Sequence, residues 1–282
     1  MAAVRMDGAA LAKKIRAEIA VKTQELIASG VHPHLAVVLV GDDPASAVYV
    51  RNKENACKNA GVRSTVIRLG ADCDQKTLEE TVGRLNDDPQ VHGILVQLPL
   101  PGHLNASRVI EMIDPRKDVD GFHAVNSGLL MNGQKGFVPC TPRGVMDILA
   151  EYDVNPRGKH AVIIGRSNIV GKPMAMLLLA ADATVTVCHS RTQNLPEITR
   201  QADILIAAVG RRGFVTADMV KPGAVVIDVG INRKDEGGVC GDVAPEVFEI
   251  AGMMTPVPGG VGPMTIATLL KNTLDAAKEY GA

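Results

Sequence analysis

The 282-residue sequence predicts an α/β protein of two lobes, each built on a parallel sheet. Three observations carry that prediction. Short β-branched runs alternate with amphipathic helical stretches from end to end, which is the pattern of strand–helix–strand crossovers. The alternation breaks between Asp114 and Pro142 into a Gly-, Asn- and Pro-containing stretch with little periodicity, and then restarts. The length suits two modest domains with buried cores. We expect an N-terminal catalytic domain over 1–138, a Rossmann-like domain over 139–262, and a C-terminal helix 263–280 that packs back on the first domain. A ligand cleft is expected between the lobes.

The elements follow in order. In the first half the strands are Leu35–Val40, Ser64–Leu69 and Gly93–Leu98, and the helices roughly Ala9–Ser29, Pro44–Ala60, Gln75–Asn86 and Ser107–Ile113. Asp43-Pro44 is a good helix start, an acidic cap followed by proline in the first turn, and Gly61 is a natural stop. The second half restarts with strands Ala161–Ile164, Thr184–Cys188, Ile204–Ala208, Val225–Val229 and Met253–Thr255, with helices between them. A helix from Pro263 carries Ile266, Leu269, Leu270 and Leu274 at helical spacing.

Composition excludes several classes. The apolar share of 46% and charged share of 22% are those of a soluble globular chain. Aromatics make up 2%, with no Trp, so Val, Ile, Leu, Ala and Met must fill the cores. A net charge of −1 without a basic stripe argues against nucleic acid. No apolar stretch approaches the roughly 18 residues of a membrane span, and no signal-peptide run opens the chain. The five cysteines are widely spaced and odd in number, so reduced cytoplasmic thiols are expected rather than disulfides or zinc ligands. The histidines form no metal-spaced cluster, and no metal is expected.

After the strand Ala161–Ile164 comes Gly165-Arg166-Ser167-Asn168-Ile169-Val170-Gly171-Lys172-Pro173. A glycine-bearing turn between strand and helix brings N–H groups and a helix N-terminus towards a pyrophosphate. Ser167 replaces the second glycine of the dinucleotide fingerprint, so a purely structural strand–turn–helix stays open. The next strand ends Cys188-His189-Ser190-Arg191, where an NAD site would place a carboxylate on the ribose. Ser190 and Arg191 offer a hydroxyl and a cation instead, with Arg166 in the first turn. A lone arginine reads as solvated surface. Two at corresponding strand ends favour NADP, because guanidinium groups bind phosphate oxygens bidentately. Asp228-Val229-Gly230-Ile231-Asn232 ends a later strand in glycine at the same expected edge.

In the first half Ser46, Tyr49 and Lys53 are spaced i, i+3, i+7 on one helix face, a spacing that by itself favours an exposed Tyr–Lys stripe. Gln97 sits near the carboxyl end of the apolar strand from Gly93, where ligands bind in open α/β sheets. Asp118-Val119-Asp120-Gly121 follows in the irregular stretch. Finally, Pro258-Gly259-Gly260-Val261-Gly262-Pro263-Met264-Thr265 removes side chains that could keep a flat ligand from the backbone and is braced by proline at both ends.

Together these strings resemble, in residue and order, the methylenetetrahydrofolate dehydrogenase/cyclohydrolase family. They are Tyr49-x-x-x-Lys53, Val96-Gln97-Leu98-Pro99-Leu100-Pro101, Lys117 to Gly121, Pro139-Cys140-Thr141-Pro142, the Gly165 turn, Cys188-His189-Ser190, Asp228 to Asn232 and the 258–265 loop. The resemblance covers essentially the whole chain. It implies Lys53 as the catalytic lysine, Gln97 as its hydrogen-bonding neighbour, Tyr49 against the reacting part of the folate and Asp120 on the pterin edge. It further implies that Ser46, Leu98, Pro99 and the loop residues Pro258, Gly259, Gly260 and Val261 bind the substrate. Gly165, Arg166, Ser167, Ser190 and Ile231 would contact NADP. Tetrahydrofolate derivatives, with or without a polyglutamate tail, and a homodimer are also implied.

The chemistry asks different things of the two steps. Oxidising a methylene carbon between two nitrogens removes a hydride and no proton, so positioning matters more than a base. Hydrolysing the methenyl cation to formyl needs a group that exchanges protons. Lys53 is the candidate, and Gln97 can hydrogen-bond its amine without adding charge. Two other readings are a dehydrogenase lacking the hydrolase, which Lys53, Gln97 and Asp120 argue against, and a two-lobed NADP-binding sensor without turnover. A synthetase activity is not expected, for want of a third domain and of a phosphate-binding Gly-x-x-x-x-Gly-Lys-Ser/Thr string.

Overall fold

The computed structural model describes residues 2–281. The chain forms two compact units, one comprising Lys13–Val138 with the chain from Ile266 on, the other the residues up to Ala12 with Pro139–Thr265. In chain order, β1 (Val4–Arg5) and α1 (Gly8–Ala28) precede β2 (His34–Val40), α2 (Pro44–Ala60) and β3 (Arg63–Leu69). Next come α3 (Gln75–Asp87), β4 (Gly93–Val96), α4 (Ala106–Met112) and α5 (Ala124–Met131). Then follow α6 (Cys140–Glu151), β5 (His160–Ile164), α7 (Gly171–Ala180), β6 (Thr184–Cys188), α8 (Leu195–Thr199) and β7 (Ile204–Ala207). The chain finishes with β8 (Val225–Asp228), the hairpin strands β9 (Asn232–Arg233) and β10 (Val239–Cys240), β11 (Met253–Met254) and α9 (Val261–Tyr280).

The first unit holds a three-stranded parallel sheet in the order β3-β2-β4. All seven residues of β2 are buried, as expected for a central strand covered on both faces. Ala36, Val38 and Val40 alternate onto one face and pack with Leu78, Val82, Ile94 and Val109. Because β2 is followed on one side by β3 and on the other by β4, the connections leaving β2 and β4 diverge at their carboxyl ends. Such a switch point opens a crevice in a parallel sheet.

The second unit holds a six-stranded sheet in the order β1-β11-β8-β7-β5-β6, parallel throughout. Its switch point lies between β5 and β7. Val162, Ile164, Leu205, Ala207 and Val226 fill one face of it. The α/β class with parallel sheets in two units is thus what the alternating pattern predicted.

Three local expectations need correction. The stretch between Asp114 and Pro142 is not wholly irregular, since α5 lies within it. That helix has only Asn126 buried, so it shows no apolar period, and hydrogen bonds from Asn126 to Asp118 and the Pro115 carbonyl hold it. β4 stops at Val96 rather than Leu98, although the Gln97 N–H still donates to the Val38 carbonyl. Two residues near the N-terminus form the edge strand β1 beside β11, a pairing too short to leave a periodic signal. Among the described residues no helix is long and apolar enough to cross a membrane, and all five cysteines are free thiols.

Candidate active site

In the first unit the site is assembled around α2. The Asp43 carboxylate caps the helix by accepting from the Ser46 N–H at 2.7 Å, and Gly61 closes it in the left-handed conformation with φ 73°. Ser46, Val50, Lys53, Cys57 and Ala60 form its buried stripe. Lys53 is therefore a lysine at a core position, 8% exposed. Its Nζ donates to Gln97 Oε1 at 3.0 Å and makes no ion pair among the described residues. Gln97 Nε2 donates to the Leu98 carbonyl at 2.7 Å, which fixes the amide with its oxygen towards the lysine. Gln97 follows β4 and Lys53 rides on the helix after β2, so the pair sits at the switch point of this sheet. Tyr49 lies beside the stripe rather than within it and is 37% exposed. Burial also pushes the Cys57 thiol up to about 12, so it is inert as a nucleophile.

Asp120 is half-buried on a loop whose shape is set by its neighbours. Asp118, 1% exposed, accepts from the N–H groups of Phe122 (3.2 Å) and His123 (2.8 Å) and from Asn126 Nδ2 (2.8 Å). Burial pushes its carboxyl up to about 6 despite those donors. From α9, Asn272 Nδ2 donates to the carbonyls of Val119 and Val138 at 2.9 and 3.2 Å. Sequence reasoning singled out Asp120 and passed over Asp118. The spacing Asp-x-Asp-Gly gave no sign of which carboxylate faces inward.

In the second unit the glycine turn after β5 is tightly built. Gly165 has φ +127°, and a Cβ there would overlap the Ala208 carbonyl across the β5–β7 switch point. A Cβ on Gly171 would run into the Gly165 carbonyl and lie 2.8 Å from Arg166 Cα. Within this turn these are the two positions where only glycine fits. Ser167, at the position of the fingerprint's second glycine, accepts from the Val170 and Gly171 N–H groups through Oγ at 3.1 and 3.3 Å. It thereby serves as a cap for α7.

Arg166 and Arg191 follow strands that pair with Ile164 opposite Cys188, so they leave the sheet at the same edge. Both are exposed, and neither guanidinium has a hydrogen bond or ion pair among the described residues. The turn carrying Ser190 and Arg191 is braced by His189, whose N–H donates to Thr192 Oγ1 at 2.8 Å and whose Nδ1 accepts from the Arg191 N–H at 3.1 Å. With Ser190 these two cations, without partners among the described residues, gather at one sheet edge the kind of donors that a phosphate accepts from.

The 258–265 segment belongs to the same unit, and α9 opens within it at Val261, two residues before the expected start at Pro263, so only Pro258–Gly260 is loop. Gly259 takes φ +101° with open space where its side chain would be, and its carbonyl accepts from the Ala9 N–H at 2.8 Å. Gly260 is buried against its own chain. A Cβ on it would meet the Pro256 carbonyl at 2.5 Å and Thr255 at 2.9 Å. Its lack of a side chain therefore serves the loop's folding. A Cβ on Gly262 would come within 3.7 Å of Ile231 Cδ1, so the first turn of α9 adjoins the 47%-exposed Ile231. Pro258 is exposed and Val261 buried.

Residues 6–120 match the family model described as tetrahydrofolate dehydrogenase/cyclohydrolase, catalytic domain, and residues 139–281 match its NAD(P)-binding domain. The chain is 60% identical over 279 residues to the bifunctional protein FolD of Paracidovorax citrulli, covering 99% of each chain. It superposes on the bifunctional FolD methylenetetrahydrofolate dehydrogenase/cyclohydrolase of Campylobacter jejuni with TM-score 0.97 at 51% identity, covering 98% of this chain and 99% of that one. It superposes on the Trypanosoma brucei FolD enzyme, solved with NADP cofactor and an inhibitor, with TM-score 0.94 at 40% identity, covering 99% and 98%.

Proposed function

Because the chain belongs to the tetrahydrofolate dehydrogenase/cyclohydrolase family, with NADP-dependent methylenetetrahydrofolate dehydrogenase and methenyltetrahydrofolate cyclohydrolase activities, we propose how its residues divide the two reactions. The observation that carries the reading is the amine of Lys53, nearly buried, bonded to Gln97 and without a carboxylate partner among the described residues.

In the first reaction NADP held by the second unit would supply the acceptor for the hydride that the methylene carbon loses. Gly165 and Ser167 hold the turn that receives its pyrophosphate, and Arg166, Ser190 and Arg191 grip the 2′-phosphate, with Ile231 against the cofactor. Ser46, Tyr49, Leu98 and Pro99 line the folate, Asp120 binds the pterin edge, and Pro258, Gly259, Gly260 and Val261 lie along the pterin ring. No side chain needs to move a proton in this step.

In the second reaction water adds to the methenyl carbon and loses a proton. The ring nitrogen that leaves this carbon gains one as the formyl product forms. Lys53 exchanges those protons at Nζ. The neutral Gln97 amide orients the amine without the charge a carboxylate would add, and a carboxylate would hold the lysine in its protonated form. The folate is a tetrahydrofolate derivative that can carry a polyglutamate tail, and the protein works as a cytoplasmic homodimer.

A single incubation with methylenetetrahydrofolate and either NADP or NAD tests the reading, following reduced cofactor together with methenyl and formyl products. Reduced NADP appearing with formyl product is the expected result. Methenyl accumulating unhydrolysed would remove the role given to Lys53, and no reduction with either cofactor would leave a binding protein.

A further inference from the structure

The mechanism leaves unused two buried carboxylates in the cofactor-side unit. Asp242 is fully buried and Asp228 is 2% exposed. Asp242 Oδ2 accepts from the Val209 N–H at 2.7 Å and the Gly210 N–H at 2.9 Å. Its Oδ1 accepts from the Arg211 N–H and from Asn232 Nδ2, both at 2.8 Å. Asp228, the last residue of β8, accepts through Oδ1 from the N–H groups of Gly230 and Asp242 and through Oδ2 from that of Val243, each at 2.9 Å. Neither carboxylate makes an ion pair among the described residues. Six backbone N–H groups and one amide therefore replace the water both have lost. Glycine is required at 230 and 241, where a Cβ would overlap the carboxylates of Asp242 and Asp228 respectively.

The loops tied by this pair are those that leave the carboxyl ends of β7 and β8. The first runs from the switch point, where the Ala208 carbonyl fills the space over Gly165. The second carries Ile231. Three consecutive N–H groups turned onto one carboxylate give the 209–211 backbone a single conformation.

We propose that Asp242 is a positioning residue for NADP, whose carboxylate fixes the Val209–Arg211 and Gly230–Asn232 loop ends in the arrangement that receives the cofactor. This rests on the reading that Ile231 and the β5–β7 switch point face NADP. Without the clamp, the ordering of both loops falls on cofactor binding, which weakens binding without touching the residues around Lys53.

Asp242→Asn keeps the shape but turns an NH2 group onto backbone donors. Asn232→Ala removes one of the four donors and leaves the carboxylate, so it is the milder variant should the first fold poorly. For wild type and both variants, KM and kcat are measured for NADP-dependent oxidation, together with hydrolysis of supplied methenyltetrahydrofolate without cofactor. Amide hydrogen exchange is followed across 209–211. We expect KM for NADP to rise about 10- to 100-fold in Asp242→Asn and a few-fold in Asn232→Ala. Hydrolysis should stay within about two-fold of wild type, and exchange at 209–211 should accelerate.

A KM for NADP within two-fold of wild type in both variants would overturn the inference. So would oxidation and hydrolysis falling in the same proportion, which is the behaviour of a residue that only stabilises the fold. Absence of NADP-dependent oxidation in the wild type would overturn the functional reading itself, and this inference with it.

Discussion

Lys53 Nζ and Gln97 Oε1 lie 3.0 Å apart, joining a helix that follows β2 to the residue that follows β4. The two are 44 residues apart in the chain and meet because both strands end at the switch point of one parallel sheet. A nearly buried ammonium on a helix stripe of otherwise small, uncharged residues is costly unless something repays it. Gln97 supplies one neutral acceptor, and the proton exchange proposed above would give the position a use that packing alone does not.

Lys53→Ala is expected to lower hydrolysis of methenyltetrahydrofolate by about 10²- to 10⁴-fold, the range for loss of a general acid–base group. NADP reduction should fall much less. The two rates are measured separately, each on its own substrate. Equal losses would make Lys53 a binding residue.

Arg191→Ala should weaken NADP and leave NAD nearly unchanged, because only NADP carries the 2′-phosphate. A charge-assisted hydrogen bond contributes about 1.5–3 kcal/mol, so the ratio of kcat/KM for NADP over NAD should drop roughly 10- to 100-fold. An unaltered ratio would place the side chain in solvent.

Gly165→Ala places a methyl group on the Ala208 carbonyl at a residue with φ +127°. Because the atoms the methyl group meets are the backbone carbonyl of Ala208, no side chain can swing aside. A loss of about 2–4 kcal/mol is expected. Denaturant unfolding measures it, and NADP affinity should fall alongside. A variant as stable as wild type would mean that the turn opens freely.

Asp118 yields a pH prediction. Burial raises its carboxyl to about 6 in the folded chain, whereas an unfolded aspartate titrates near 3.9. The folded state thus binds the proton more readily, and stability from this group is greatest below the unfolded value and lost as pH rises through about 6. Asp118→Asn does not titrate there. Relative to it, wild type should gain stability on going from pH 7 to pH 4, by about 3 kcal/mol at most, from 1.36 kcal/mol per unit. Chemical denaturation at several pH values checks the sign. A gap that widens in favour of the variant at pH 4 would contradict it.

Much of this was legible in the chain. Alternation of β-branched and helical runs is a local property, so the α/β class and most strands could be read directly. The helix over Pro44–Ala60 could be read from its Asp43 cap and Gly61 stop, both of which the structure contains. Glycine strings signal where backbone must turn sharply, and Gly165 and Gly259 do adopt positive φ. Their purpose was less legible. The same absence of a side chain serves open space at Gly259 and close packing on Pro256 at Gly260.

The sequence by itself determined the class, the succession of elements, the candidate lysine and the arginines without a carboxylate beside them, since these depend on residue type and on spacing along the chain. The tertiary structure alone decided three other matters. It made Lys53 a core residue, because only packing against the sheet separates its face of α2 from that of Tyr49. It chose Asp118 over Asp120 as the buried carboxylate, because the donors that repay burial come from Phe122, His123 and Asn126 on the folded loop. It also brought Asp242 onto the Val209–Arg211 loop, 31 to 33 residues earlier in the chain. A buried charge is held by whichever N–H groups the fold gathers around it, and their sequence positions carry no periodic signal.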